Sequence, residues 1–238
     1  MIHQKQPSGS RILDYMLEGG YEPGIITTIY GPAGSGKTNL AMLCAIKCAR
    51  EGRKVLYVDT ESSFSVARLK QISRDYSKVL DNMIFLRPTN FDEQISAFRR
   101  LKELVKTDAD NIGIVIIDTI SMLYRLELGK SENVYEINRE LGRQMAWLSE
   151  IASKKTIPVL ITNQVYADFD NKDKISMVGG DILKYWSKCL VELQITEQSN
   201  RRAVLRKHRS LPEGKEILFK IVQTGIIGTK EKKKFKLF

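Results

Sequence analysis

A glycine-rich segment of eight residues constrains the fold of this chain more than any other feature. Residues 31–38 read GPAGSGKT and stand between an apolar run at 25–30 and a helix-like segment near 37–50. In such a GxxxxGKS/T sequence, the glycines let backbone N–H groups turn toward phosphate oxygens, and the helix N-terminus adds partial positive charge. Lys37 is expected to bridge the β- and γ-phosphates of a nucleotide, and Thr38 to ligate Mg²⁺. The predicted nucleotide-binding residues are Gly31, Pro32, Ala33, Gly34, Ser35, Gly36, Lys37, Thr38 and Asn39.

Short strand-like runs alternate with helical patterns along most of the chain. The runs rich in Ile, Val and Leu, which suit strands buried on both faces, occupy residues 25–30, 54–60, 83–87, 112–119 and 157–163. The helical patterns lie near residues 37–50, 64–78, 91–106 and 133–154. This alternation predicts an α/β fold with a mostly parallel central sheet flanked by helices. Three later runs separated by turn residues predict an antiparallel C-terminal extension, at 190–196, 203–207 and 216–222.

Polar side chains end three of the predicted strands, and the carboxyl ends of parallel strands meet at one edge of a sheet. Asp118 ends the run GIVIID and is predicted to hold Mg²⁺ through water, as in a Walker B motif. Glu61 is the candidate that activates the attacking water, and neighbouring Asp59 is the competing choice. Gln164, after the run LITN, either senses the γ-phosphate or caps the strand end. The predicted catalytic residues are therefore Glu61, Lys37 and Gln164.

The positive charge is concentrated at the C-terminus. The 238 residues carry a net charge of +10, and residues 201–238 hold twelve Lys and Arg against three acidic residues. Such a segment attracts polyanions, nucleic acid first, although a solvated basic face and tail would have the same composition. The apolar stretches at 112–117 and 157–161 are far shorter than the ~20 residues that span a bilayer, and residues 1–11 hold no signal-peptide core. We therefore expect a cytoplasmic protein without a membrane partner.

In order and spacing, the segments 31–38, 58–61, 114–125 and 161–165 resemble the core of the RecA-like recombinases. The resemblance covers nearly the whole chain, including residues 17–24 and 178–186, and is strongest to the short archaeal paralogues without an N-terminal helical DNA-binding domain. It implies one ATPase domain over residues 1–238, with an N-terminal segment at 1–24 and a basic tail at 229–238. It also implies ATP and Mg²⁺ as cofactors, slow ATP hydrolysis, DNA binding, and a role in recombination and repair.

The same resemblance assigns roles to three residues and suggests partners. Glu61 matches the hydrolytic glutamate, Asp118 the Walker B acid, and Gln164 the residue that couples the γ-phosphate to the second DNA loop. The expected partners are DNA, the main archaeal recombinase, a Holliday-junction resolvase and a replicative polymerase subunit.

The two DNA loops of that family are weakly basic here. The second loop, residues 165–178, has a slightly negative formal charge from three aspartates and two lysines, and residues 1–10 hold no phenylalanine of the kind that joins recombinase protomers into filaments. We therefore expect an accessory role rather than classical strand exchange. The predicted DNA contacts are Arg125 and Lys130 in the first loop and Arg201, Arg202, Arg206, Lys207 and Arg209 near the C-terminus. In the tail, Phe235 or Phe238 could stack on bases.

The sequence Lys207-His208-Arg209 has a second interpretation. Residues two apart on a strand face the same way, and this KxR resembles the trans-acting pair of RecA-like hexamers such as KaiC. Lys207 and Arg209 would then reach a neighbouring protomer's γ-phosphate, and hydrolysis would require a homo-oligomer. An ordinary DNA-contacting pair fits equally. The alternative function is a ring-forming, KaiC-like ATPase or signalling protein that does not act on DNA; a small-molecule kinase is disfavoured because no Arg-rich lid insertion is present.

Overall fold

Helices and strands alternate through the first two thirds of the chain, and strands predominate after residue 188. The structure is a computed structural model that describes residues 4–130, 132–167, 175–196 and 200–229. The α-helices of these residues are α1 (Arg11–Leu17), α2 (Lys37–Arg50), α3 (Val66–Ile72), α4 (Tyr76–Asp81), α5 (Phe91–Asp108), α6 (Met122–Leu128), α7 (Val134–Lys155) and α8 (Gly180–Trp186). The strands are β1 (Ile26–Tyr30), β2 (Lys54–Asp59), β3 (Met83–Leu86), β4 (Ile112–Asp118), β5 (Val159–Asn163), β6 (Val165–Ala167), β7 (Ile175–Met177), β8 (Cys189–Ile195), β9 (Arg201–His208), β10 (Glu216–Val222) and β11 (Gly225–Gly228).

Within the described ranges, nine of these strands form one sheet in the order β11-β10-β9-β8-β1-β5-β4-β2-β3. The six strands from β8 to β3 are parallel, and β9, β10 and β11 extend the sheet in antiparallel fashion beyond β8. Strands β6 and β7 form a separate short hairpin. The predicted α/β fold, with its mostly parallel sheet and antiparallel extension, is confirmed.

The core lies on both faces of the sheet. All seven residues of β4 are buried, and their side chains alternate between two clusters: Ile114 and Ile116 face the side of α2, whereas Val115 and Ile117 face the side of α5 and α7. This alternation follows from the two-residue period of a strand. Among the residues that the structure describes, no helix has the length and hydropathy needed to cross a bilayer.

The prediction of one helical segment near 64–78 is wrong, because this region forms two separate helices, α3 and α4. Helix α3 is capped by the Ser65 side chain, which accepts from the Arg68 backbone N–H, and it ends before Ser73, whose backbone is extended. The Ser73 hydroxyl donates to Asp75 at 2.6 Å, and Arg50 also pairs with Asp75. Ser and Asp side chains that bond locally compete with helical backbone bonds, so the chain turns at this point.

Candidate functional site

The phosphate loop connects the end of β1 to the start of α2, as the sequence predicts. Gly36, immediately before the helix, has φ of +106°, a left-handed conformation that favours glycine. At Gly31 a Cβ atom would lie 2.4 Å from the Leu193 carbonyl oxygen, so any side chain there would displace the loop or β8. The two glycines thus allow a tight loop that leads directly into the N-terminus of α2. A loop of this kind before a helix N-terminus binds phosphate in other proteins.

Lys37 points back over this loop. Its Nζ donates to the carbonyl oxygens of Gly31, at 2.8 Å, and Pro32, at 3.0 Å. Burial lowers the pKa of Lys37 from its ordinary value, while the negative charges of Glu61 and Asp118 act in the opposite direction. The ammonium group therefore lies in the concavity that a polyphosphate would enter, between the loop and two carboxylates.

Asp118 ends β4 beneath the phosphate loop and accepts hydrogen bonds from three hydroxyl groups. Thr162 of β5 donates to Oδ1 at 2.5 Å, and Tyr57 of β2 and Ser63 donate to Oδ2 at 2.8 and 3.2 Å. Ser63 Oγ also lies 3.5 Å from the Thr38 hydroxyl. The hydroxyl and carboxylate oxygens on this side of the loop fit Mg²⁺, which takes few protein ligands and binds through water and nucleotide phosphates. Thr38 and Asp118 would hold the ion there.

Replacing Tyr57 with Phe should destabilise the protein by about 2 kcal/mol, because it removes a buried hydrogen bond to a carboxylate without leaving a large cavity. Burial, with the Asp118 charge, raises the pKa of Tyr57 well above its ordinary value, so its hydroxyl stays protonated and donates. Chemical denaturation would measure the change. The exposed Tyr135 changed to Phe is the control, and equal stability of the two variants would contradict the assigned contact.

The structure separates the two acids that compete for the role at the γ-phosphate. Asp59 accepts the backbone N–H groups of Ser63, at 2.9 Å, and Phe64, at 3.3 Å, so it caps the loop that follows β2. Glu61 is half-buried and faces the phosphate loop. Its Oε1 accepts from Gln164 Nε2 at 2.7 Å and from the Thr119 hydroxyl at 2.9 Å. Glu61 and Gln164 therefore come together as the sequence predicts.

Sequence reasoning did not identify three polar residues of this site. Ser63 links Asp118 to Thr38, Tyr57 supports Asp118, and Thr119 supports Glu61. Thr119 directly follows Asp118 in the sequence, and this adjacency was the available signal. Tyr57 lies in an apolar strand where nothing distinguishes it from a core residue.

An open pocket of about 210 Å³ lies beside the phosphate loop. Glu61, Thr119 and Gln164 line one part of it, and Ile221 of β10 contributes a side chain from the C-terminal extension. The remaining lining residues belong to the phosphate loop and its helix: Ala33, Gly34, Gly36, Lys37, Thr38 and Asn39. The pocket thus has a polar wall with one carboxylate and an apolar contact from a different part of the sheet.

The basic residues of β9 do not form the single cluster that their proximity in sequence suggests. The strand is roughly 25 Å long, and Arg201 at its start donates to the Gly34 carbonyl of the phosphate loop at 3.2 Å. Arg206 pairs with Glu192 at 2.6 Å, and Lys207 Nζ donates to the Lys184 carbonyl at 2.8 Å. These side chains contact different elements and serve partly as internal links.

One assumption about the KxR pair is wrong. Arg209 lies beyond the end of β9, so it does not share a strand face with Lys207, and its guanidinium pairs with Glu22. Arg202, nearer the start of β9, lies 3.7 Å from Glu216 of β10. The contribution of Lys207 and Arg209 to a neighbouring protomer stays a prediction.

The region that resembles the first DNA loop of the RecA-like recombinases has exposed aromatic and apolar side chains as well as charged ones. Arg125 lies in the last turn of α6, Lys130 comes two residues after the end of that helix, and both are exposed. Two residues that the sequence did not single out are also exposed: Leu126 in α6, at 47%, and Tyr135 in the first turn of α7, just after the loop, at 72%. The charges of the second loop at residues 168, 170, 172, 173 and 174, and the tail from residue 230 with Phe235 and Phe238, lie outside the described residues.

Comparisons with known proteins agree with this architecture. The family model described as Rad51 matches residues 4–229. A protein named "DNA repair and recombination protein RadB" from Methanobrevibacter smithii is 42% identical over 229 residues, covering 94% of this chain and 96% of the relative. One of the same name from Methanothermobacter thermautotrophicus is 41% identical with the same coverage. A crystal structure of the RadB recombinase has a TM-score of 0.80 and 35% identity, covering 94% of this chain and 100% of that one. The resemblance to RecA-like recombinases is thereby confirmed, and this chain belongs to the Rad51 family.

Proposed function

We propose that this protein is an ATP- and DNA-binding accessory recombinase that hydrolyses ATP slowly and uses it mainly as a switch. Its membership of the Rad51 family gives it a role in DNA recombination and repair. The observation that carries the nucleotide part is the meeting of Glu61, Gln164 and Thr119 beside the phosphate loop. A KaiC-like ring ATPase that ignores DNA is not favoured.

The proposed chemistry follows from the placement of the polar groups. Residues 31–39 would hold the phosphates of ATP, with Lys37 neutralising the β- and γ-phosphate oxygens, and Mg²⁺ would screen the same charge. Glu61 would take a proton from the attacking water. Gln164 donates to Glu61 and is followed directly by β6, the first strand of the hairpin that begins the second loop. A γ-phosphate that attracts the Gln164 amide would therefore pull on that hairpin.

DNA is proposed to contact two basic regions. In the first loop, Arg125 and Lys130 would bind phosphates. The exposed ring of Tyr135, at the start of α7 just after this loop, offers a surface for base stacking. The second region comprises the basic residues of the C-terminal part, namely Arg201, Arg202, Arg206, Lys207, Arg209 and the tail from residue 229. Because several of these arginines already bond within the chain, we assign the larger share of the phosphate contacts to the tail.

Residues 1–238 are proposed to form one RecA-like ATPase domain, and the protein is proposed to act in the cytoplasm. Its protein partners would be the main archaeal recombinase, a Holliday-junction resolvase or a replicative polymerase subunit. A homo-oligomer completed by Lys207 and Arg209 is the corresponding proposal for self-association.

The proposal is tested by titrating labelled single- and double-stranded DNA over a salt series, with and without Mg²⁺-ATP. We expect the logarithm of the affinity to fall steeply with the logarithm of salt concentration, and the affinity to change with ATP. A form that ends at Gly228 should have a shallower slope. Lys37→Ala should keep the DNA affinity and lose its dependence on ATP. No DNA binding in any nucleotide state, together with a hexamer on sizing with ATP, would instead support the ring ATPase.

A further inference from the structure

The turn between β10 and β11 lies on the first two turns of α2. A Cβ atom on Gly36 would be 3.1 Å from Ile221 Cδ1, and one on Gly225 would be 3.2 Å from Leu43 Cδ2. Gly36, Asn39 and Leu43 are spaced by three and four residues, so they share one face of the helix. The C-terminal hairpin therefore covers the same part of α2 that carries the phosphate loop.

One guanidinium group joins these two elements. Arg68 of α3 donates from Nε to the side-chain oxygen of Asn39 at 2.9 Å. On its other side it donates to the turn carbonyls of Val222, at 2.7 Å, and Gln223, at 2.9 Å, with a longer contact to Gly225 at 3.4 Å. Because guanidinium is planar with donors in a fixed fork, its orientation toward Asn39 and toward the turn cannot change independently.

Both sides of this link reach the nucleotide pocket. Asn39 and Ile221 line it, and Ile221 immediately precedes the carbonyl that Arg68 holds most closely. We propose that Arg68 is a positioning residue of the nucleotide site, which fixes the β10–β11 turn on α2 and makes that turn respond to bound nucleotide. This inference rests on the proposed nucleotide function. Hydrogen bonds weaken steeply with angle, so a small shift of Asn39 would change how firmly the turn carbonyls are held.

The test compares Arg68→Ala with Arg74→Ala, an exposed arginine just beyond the same helix, in the full-length protein. Hydrogen–deuterium exchange of the segment 219–226 is followed with and without saturating Mg²⁺-ADP, and the ADP dissociation constant is measured by calorimetry. In wild type and Arg74→Ala, ADP should slow exchange in this segment. Arg68→Ala should abolish the slowing and weaken ADP binding about tenfold, the cost of one charged hydrogen bond.

Exchange in the phosphate loop, residues 34–39, separates the possible failures. If ADP protects the loop in wild type, and Arg68→Ala keeps both the wild-type affinity and the ADP-dependent slowing, the inference is overturned while the nucleotide function stands. If the variant only melts earlier and exchanges faster in both states, with unchanged affinity, Arg68 is merely structural. If wild type shows no protection of the loop, both proposals fall. Arg68→Lys keeps the charge but not the fork, and it should retain the fold and lose the response.

Discussion

Replacing Glu61 with glutamine is expected to slow ATP hydrolysis at least about 100-fold, the usual contribution of a positioned general base. The change preserves the shape of the site, because a glutamine Oε1 can still accept from Gln164 and Thr119 as Glu61 does. What it removes is the basicity needed to take a proton from water. ATP binding, which we assign to residues 31–39, should change less than about threefold, within one small hydrogen-bond increment.

Single-turnover hydrolysis with enzyme in excess would measure this effect even when the wild-type rate is slow. The matched control is Glu103→Gln, which alters an exposed acid on α5 away from the pocket. A Glu61→Gln variant that keeps more than about a tenth of the wild-type rate would exclude Glu61 as the base, since even a weak general base contributes more than that.

Adding one methyl group at Gly113 is expected to destabilise the protein by about 3 kcal/mol, at the upper end of the usual cost of overpacking. Gly113 lies in the fully buried strand β4, and a Cβ there would be 2.1 Å from Cys48 Sγ and 2.9 Å from Arg53 Cβ. Neither α2 nor β4 can move without disturbing the sheet beneath the phosphate loop. Thermal unfolding of Gly113→Ala should show a midpoint lower by about 10 °C.

Two further variants make this result specific. Gly142→Ala, on α7, meets nothing within 4 Å and should stabilise the helix by roughly 0.5–1 kcal/mol. Cys48→Ala combined with Gly113→Ala removes the sulfur that the new methyl group would strike, so part of the loss should be recovered. The remaining part comes from Arg53 Cβ. Equal stability of Gly113→Ala and wild type would contradict the packing of α2 on β4.

The sequence predicted well those parts of the molecule that are defined by residues close together along the chain. The phosphate loop is defined by eight consecutive positions, and the buried strand that ends at Asp118 is defined by an unbroken apolar run. Tyr57, by contrast, donates to a carboxylate 61 residues away, and Thr162 to the same carboxylate over 44 residues. Such pairs exist only after β2, β4 and β5 are placed side by side, and no periodicity in the chain encodes them.

The sequence is misleading in two regions, and each error has a physical cause. The helical pattern at 64–78 was real, but the local bonds of Ser73 and Asp75 interrupt it, and hydrophobic spacing does not register such competition. In the C-terminal part, the closeness of five basic residues in the sequence suggests a single cluster of charge. An extended strand separates its ends by roughly 3.3 Å per residue, so Arg201 reaches the phosphate loop whereas Arg209 pairs with Glu22.

The pocket is built from several strand ends that are distant in the sequence. A ligand can therefore bind there only when the whole sheet is folded. The pocket's residues follow β1, β2, β4 and β5, and Ile221 comes from the antiparallel extension of the sheet, so these groups are brought together only in the folded chain. A ligand that binds only the folded form stabilises it by about 2.7 kcal/mol at one hundred times its dissociation constant. Resistance to proteolysis should accordingly rise and fall with the concentration of adenine nucleotide around the protein.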